Sequence, residues 1–322
     1  MKAETPEVIL VTGAGSGMGY ETSLHLARSG YRVYGSVFSE SEREALTRGA
    51  AERGVTLDVV RMDVTQPDQV KTIVAGIPRI DGLVHFAGSG LRGCVEDLSI
   101  DEVRKIFEVN FYGALNCIQA VLPAMRRQRS GRMIITTSAG GRIGSIGIGG
   151  YVATKFALEG LVECLAQEVA MFNIKVSLLE PGLIQTPHFT IHRHRAKKAL
   201  EPASPYYKWF LQHEKMVDDI LARNSFTTAD VSRIVHGILT DKNPKFRHIV
   251  GTKAKVLIGM RRYIPGEIFQ RIHWRVVRRV VTRPKVQATT LSGLEHTPGH
   301  EATTRSDAGK TSAVPGAVQS PR

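Results

Sequence analysis

The chain has 322 residues, a net charge of +13, 42% apolar residues and 23% charged residues, a composition that supplies a core and excludes full-length disorder and fibrous repeats. Its three cysteines, Cys94, Cys117 and Cys164, form no CxxC pair, which excludes a disulfide framework or a structural zinc site and fits a reducing compartment. The start of the chain carries only a four-residue apolar run, 8–11, and no later stretch approaches the roughly 18 apolar residues of a spanning helix. A cytoplasmic protein, neither exported nor transmembrane, is expected.

Short β-branched runs alternate with longer helical patterns over the first 250 residues. Strands are predicted at 8–12, 32–37, 56–62, 82–86, 132–137, 175–179 and 247–250, mostly as continuous apolar runs, as in a parallel sheet covered on both faces. Helices are predicted at 17–29, 101–125, 151–171, 206–224, 228–239 and 266–281. The expected fold is α/β and doubly wound, with seven parallel strands and a helical lobe at about 187–225, where an α/β enzyme shapes its substrate pocket. Basic helices are expected over about 252–283, all within one domain spanning 1–283. From 284 to 322 Thr, Ser, Ala, Gly and Pro dominate, and that tail is expected to be disordered.

The first strand runs into Gly13-Ala14-Gly15-Ser16-Gly17-Met18-Gly19, and a helical pattern follows. Strand, glycine turn and helix in that order suit a dinucleotide, because the backbone can approach a pyrophosphate whose charge meets free N–H groups at the helix start. A flexible turn is the plain alternative. The second strand ends Gly35-Ser36-Val37-Phe38-Ser39 with no acid before Glu40. A carboxylate selecting the ribose 2′-OH of NAD is therefore missing, and hydroxyls at Ser16, Ser36 and Ser39, with Arg43 in reach, favour NADP(H) over NAD(H).

Tyr151 and Lys155 stand at i and i+4 on a predicted helix. An ammonium there is expected to lower the tyrosine pKa from its usual value of about 10, so that the phenol can exchange a proton near neutral pH. Taken alone this spacing also occurs on ordinary solvated faces. Ser138 ends the fifth strand thirteen residues earlier, and Pro181-Gly182 follows the sixth. Glycine turn, strand-end serine, YxxxK and PG in this order resemble the short-chain dehydrogenase/reductase family, over roughly residues 7–250, with its Rossmann-like fold.

That resemblance implies Tyr151 as general acid/base, Lys155 as the residue that lowers its pKa and holds the nicotinamide ribose, Ser138 as the group polarising the substrate carbonyl, and Asn110 as the anchor of a proton-relay water. It implies a cofactor site of Gly13, Ser16, Gly17, Met18, Gly19, Ser36, Asp63, Val64, Ala87, Gly88, Tyr151, Lys155, Pro181, Gly182 and Thr186. Asp63 also reads as a turn acid, Asn110 as a buried amide satisfied by backbone, and Ser138 as a cap. Where the family has NNAG, this chain has His85-Phe86-Ala87-Gly88, and without those amides the centre of the sheet is expected to be less firmly tied.

The implied reaction interconverts a carbonyl and an alcohol; alternatives are a cofactor-binding regulator without turnover and a dehydratase or epimerase using the same tyrosine. Tyr206, Tyr207, Trp209, Phe210 and Met216 suit a bulky apolar substrate such as a steroid, retinoid, fatty or polyketide-like compound, and 253–281 looks like the retinol and hydroxysteroid dehydrogenase branch. The family implies a homodimer or homotetramer, and Leu158, Leu161, Leu165 and Val169 fit either that interface or the sheet. Histidines 188, 192 and 194 are read as part of a solvated basic loop with Arg193, Arg195, Lys197 and Lys198, with no metal site, because those cations repel a metal ion.

Between residues 253 and 283 lie nine Lys/Arg and one acid, Glu267, a net +8. No nucleic-acid motif accompanies them, and no nucleic-acid partner is expected. On the helix at 266–281 the sequence puts Phe269, Ile272, Val276 and Val280 on one stripe beside Arg271, Arg275 and Arg278. Packing beside the pocket and peripheral contact with an anionic membrane through 253–283 both follow from that pattern.

Overall fold

The structure is a computed structural model, which describes residues 6–186 and 193–282. Seven strands form one wholly parallel sheet in the order β3-β2-β1-β4-β5-β6-β7. They are β1 (Val8–Thr12), β2 (Arg32–Val37), β3 (Asp58–Arg61), β4 (Gly82–His85), β5 (Gly131–Thr136), β6 (Ile174–Pro181) and β7 (Arg247–Val250). All of β1 and β4 is buried, which accounts for their unbroken apolar character. The strand order reverses between β1 and β4, whose register pairs Thr12 with His85, and ligands of such sheets bind at the carboxyl ends beside that reversal.

On one face α1 (Gly17–Arg28), α2 (Glu40–Glu52) and α8 (Thr228–Thr240) bury Leu24, Leu46, Val231 and Val235 against the sheet. The other face is covered by α3 (Pro67–Ala75), α5 (Gly113–Gln128) and α6 (Gly149–Ala170), through Val70, Cys117, Val121, Leu158 and Leu165. Leu158, Leu165 and Val169 are thus spent on the sheet of their own chain, with Leu161 packed beside them. Among the predicted elements, β6 is longer than expected and β3 shorter.

The helix predicted over 101–125 is not continuous. It begins as α4 (Ile100–Phe107), widens into a single π turn over Glu108–Tyr112, and resumes as α5. The π turn carries Asn110, which is fully buried. Beyond β6 lie α7 (Tyr207–Ala222), then α8 and β7, then α9 (Thr252–Tyr263) and α10 (Gly266–Val281). His188, His192, part of the expected lobe and the expected tail at 284–322 fall outside the described residues.

Candidate active site

The glycine loop is held shut against β4. Gly13 has φ +67°, and a Cβ there would stand 2.7 Å from the Ala87 nitrogen, so only glycine lets the two segments meet. Ala87 N–H donates to Thr12 Oγ1 at 3.2 Å, and Thr12 Oγ1 lies 2.9 Å from His85 Nδ1. These contacts tie the centre of the sheet at the point where the family's amides are absent. Burial, and then the nearby Lys155 charge, push the His85 pKa down to about 3, keeping the ring neutral.

Ser16 occupies the N-cap of α1 without a side-chain cap bond, the first turn contains no acid, and Gly17 and Gly19 lie inside that turn. Unopposed N–H groups at a helix start are what a pyrophosphate requires. Met18 packs partly into the core beneath. Ser36, expected to contact cofactor, is 1% exposed, because its side chain points into the protein. Ser39 is engaged as the cap of α2, accepting from Glu42 N–H.

Two residues missed in the sequence stand at this corner. Glu42 folds back so that its carboxylate accepts from Phe38 N–H at 2.8 Å and abuts Gly15. Arg61, opposite Val37 in register, donates to the Phe38 carbonyl at 3.3 Å. Glu42 was visible as the acid of a capping box, three residues after Ser39; Arg61 is 23 residues from its partner and needed the sheet.

Asp63 Oδ1 accepts from Thr65 N–H and Oγ1 at 2.9 and 2.8 Å, so part of it does serve the turn. Val64 is buried, and its carbonyl accepts from Asn116. Asn110 Oδ1 accepts from Ser89 N–H at 2.7 Å, while its Nδ2 donates to Ser89 O and Thr154 Oγ1, each at 3.0 Å. The amide therefore clips the Ala87-Gly88 loop to α6. At the other side Gly182 N–H donates to Val250 O at 3.0 Å, and Thr186 is buried.

Ser138, Tyr151 and Lys155 come together from β5 and α6. Ser138 Oγ accepts from Gly140 N–H at 3.0 Å, lies 3.5 Å from Pro181 O, and shares a hydrogen bond with the Tyr151 side chain. Lys155 Nζ donates to Thr136 O at 3.1 Å and stands 5.8 Å from the Tyr151 ring centroid. Burial pushes the Lys155 pKa down to about 8, opposed by the Glu159 carboxylate. Tyr151 departs from expectation: burial raises its pKa, opposed by the bond from Ser138. The physical reason is that desolvation penalises the charged phenolate more than the bond from Ser138 favours it.

Glu159, one further turn along α6, accepts from Thr137 Oγ1 and from Arg247, which also reaches Glu163 and Glu180. Gly141 lies so close that a Cβ would meet the Glu159 side chain at 2.9 Å. The loop from Ser138 to Tyr151 thus rests on a buried charge network. Its helix partner was legible at Lys155 plus four; Arg247, 88 residues away, was not.

In the lobe, Phe210 is buried with Leu91, Ile106 and Tyr151, Tyr206 donates to Glu96 at 2.7 Å, and Trp209 is exposed. The basic stretch is not simply solvated. Arg193 and Arg195 are buried against Glu214 at 3.0 and 2.7 Å, with Arg92 on its other oxygen. A cavity of about 360 Å³ opens between Gly144, Ser145 and Ile146 and α10 residues including His273, Trp274 and Val277; neither Ser138 nor Tyr151 lines it.

The family model for short chain dehydrogenase matches residues 7–197. The chain belongs to the short-chain dehydrogenase/reductase family. Retinol dehydrogenase 8 of Homo sapiens is 38% identical over 189 residues, 57% of this chain and 61% of that protein, so this chain spans under two thirds of that relative. The 3-ketodihydrosphingosine reductase of Bacteroides thetaiotaomicron is 34% identical over 266 residues, 82% of this chain and 96% of that one. A solved short-chain dehydrogenase from Streptomyces avermitilis superposes with a TM-score of 0.70 at 27% identity, covering 86% of this chain and 98% of its own.

Proposed function

We propose that the chain is an NADP(H)-dependent oxidoreductase interconverting a carbonyl and an alcohol on a bulky apolar substrate. The observation that carries the reading is the convergence of Ser138, Tyr151 and Lys155 beside a glycine loop built for a dinucleotide. The cofactor fits the residues present: α1 offers free N–H groups to a pyrophosphate, the Ala87-Gly88 backbone passes close to the loop, and Lys155 stands ready for a ribose hydroxyl. When bound, the nicotinamide supplies or accepts hydride.

The residues of the chain manage the proton. Tyr151 Oη holds it and passes it to the substrate oxygen, which Ser138 Oγ orients by a hydrogen bond. Lys155, protonated below about pH 8, supplies the positive charge that stabilises the phenolate formed. Asn110 holds the loop after β4 in place. The lobe aromatics support an apolar substrate, and the names of the relatives, a retinol dehydrogenase and a ketodihydrosphingosine reductase, agree with that class.

For the cofactor, Arg61 supplies beside Phe38 the cation that the strand itself lacks, while Glu42 opposes a 2′-phosphate. We assign the balance to NADP(H). Arg61→Ala is expected to weaken NADPH binding more than NADH binding, and Glu42→Gln to strengthen NADPH selectively. A preference of the unaltered protein for NADH, read by nucleotide fluorescence, overturns this assignment.

A homodimer or homotetramer remains part of the reading, supported by Tyr112, at the end of the π turn before α5, and Phe156, on α6, both about half exposed. A stable monomer by sedimentation at micromolar concentration refutes it. The test of the chemistry is Tyr151→Phe assayed over a panel of ketones, aldehydes and alcohols: turnover is expected to fall by about a hundredfold or more, with cofactor affinity held within a few fold. Substantial residual turnover sinks the assignment.

A further inference from the structure

The α10 stripe does not lie as the sequence suggested. Phe269 and Val277 are buried, with His273 half-buried between them, and Phe269 packs with Ile143 and Ile258. Ile272 and Val276, expected on that same buried face, are exposed together with Ile268. The helix therefore carries three parallel lines at four-residue spacing. The line 269, 273, 277 faces the protein, the line 268, 272, 276 is apolar and open, and the adjoining line is Arg271, Arg275 and Arg279.

Helix α9 repeats the arrangement with exposed Val256, Met260 and Tyr263 beside Lys253, Lys255, Arg261 and Arg262. Seven of the fifteen exposed large apolar side chains among the described residues fall between 256 and 276. Scattered single apolar residues need no explanation, but a cluster of this density does. Its occupant must accept aliphatic and aromatic side chains and neutralise a dense row of cations. A nucleic acid satisfies the second demand and leaves the apolar line in water; an anionic bilayer surface satisfies both.

We propose that α9 and α10 dock the protein on an anionic lipid surface, with Ile268, Ile272, Val276 and Tyr263 entering the headgroup boundary and the flanking Lys and Arg pairing with phosphate. The inner line of the same helix walls the 360 Å³ cavity against the loop that runs from Ser138 to Tyr151, and His273 is hydrogen-bonded to the Gly144 backbone. Docking there sets the loop from Ser138 to Tyr151 beside the bilayer, so an apolar substrate is drawn from the lipid and not from solution. This consequence rests on the proposed apolar-substrate activity; the docking itself does not. No helix among the described residues is long and apolar enough to cross a membrane, so the contact is peripheral.

The test uses the full chain and vesicles of phosphatidylcholine alone or with about 30 mol% phosphatidylglycerol. Co-sedimentation is expected with the anionic vesicles at low salt, and to fall steeply as salt shortens the screening length. The double variant Ile272→Ser/Val276→Ser, altered only at exposed positions, is expected to bind at least about tenfold more weakly, as is Arg271→Gln/Arg275→Gln/Arg279→Gln. NADPH binding to the same preparations reports on the proposed activity separately and confirms a folded site. Absence of vesicle binding at low salt overturns the proposal. So does unaltered binding by the apolar double variant, or equal retention on a DNA duplex, since either reduces the surface to a generic polyanion site.

Discussion

Two buried carboxylates, Glu159 and Glu214, are both held by arginines, yet they sit in opposite electrostatic surroundings. Around Glu159 the acids are in excess: Glu163 and Glu180 share Arg247 with it, and Glu180 also takes Arg142. Burial raises the Glu159 pKa, and Glu180 adds to the rise, against hydrogen bonds from Thr137 and Arg247. Around Glu214 the bases are in excess, with Arg92, Arg193 and Arg195 on one carboxylate. Burial there works to raise the pKa, but the guanidiniums win and hold it below the ordinary carboxylate value. The first cluster is a reservoir of negative field beneath Lys155; the second is a clamp that fastens the segment before α7, and α7 itself, to the loop after β4.

The contrast can be broken from either side. Arg247→Met strands buried carboxylates under the site and is expected to cost about 3–5 kcal/mol in denaturant unfolding; a loss under about 1 kcal/mol would show that Arg142 carries the cluster alone. Glu214→Gln, which removes the counter-charge of Arg92 and Arg195 and leaves Arg193 only Asp218, is expected to cost about 3 kcal/mol at neutral pH. Because the folded pKa of Glu214 is depressed, its stabilisation is present above the unfolded carboxylate pKa and is lost as pH falls through the folded value. Wild type and variant should therefore converge in acid, and a constant gap from pH 7 downward would refute the clamp.

Glu159→Gln has a smaller effect on stability, about 1 kcal/mol, and a sharper one on chemistry. The Glu159 charge supports the protonated lysine, so its removal should lower the Lys155 pKa further below about 8 and move the alkaline limb of the pH–kcat profile to lower pH. An unmoved limb would mean that the network is purely architectural. The smallest effect is expected from Arg233→Gln, which loses an exposed i,i+3 pair with Asp230; less than about 0.5 kcal/mol is anticipated, and a larger value would show that the helix start of α8 matters to the lobe.

Legibility followed the distance along the chain between interacting groups. The strands, the glycine turn and the Tyr151–Lys155 spacing are local patterns, and β1, β2 and β7 stand where periodicity put them. What joins distant segments was hidden. Arg193 and Arg195 looked solvated because their counter-ion lies on α7 and their third neighbour, Arg92, a hundred residues back. The α10 stripe was misplaced for a related reason. Its apolar arc is wider than one contact face, and hydrophobic periodicity does not say which edge of the arc the protein covers. Tyr151 failed in the same way: helix spacing predicts that Lys155 is near, but not how dry the phenol is.

The π turn before α5 has a mechanical consequence. One additional residue in a turn advances the helix by about 100° in phase. Upstream of it, Ile106 points into the lobe cluster with Leu91 and Phe210; downstream, Ala114, Cys117, Ile118 and Val121 point into the sheet. The wide turn acts as a clutch between two packing faces that a regular helix could not serve together, and it does so at the residue, Asn110, that pins the loop after β4. Deleting one residue anywhere in 108–112 would rotate one face out of its socket whichever end stayed fixed, whereas a same-length substitution leaves both engaged. Beside the Asn110 amide, length is the property this segment has to keep.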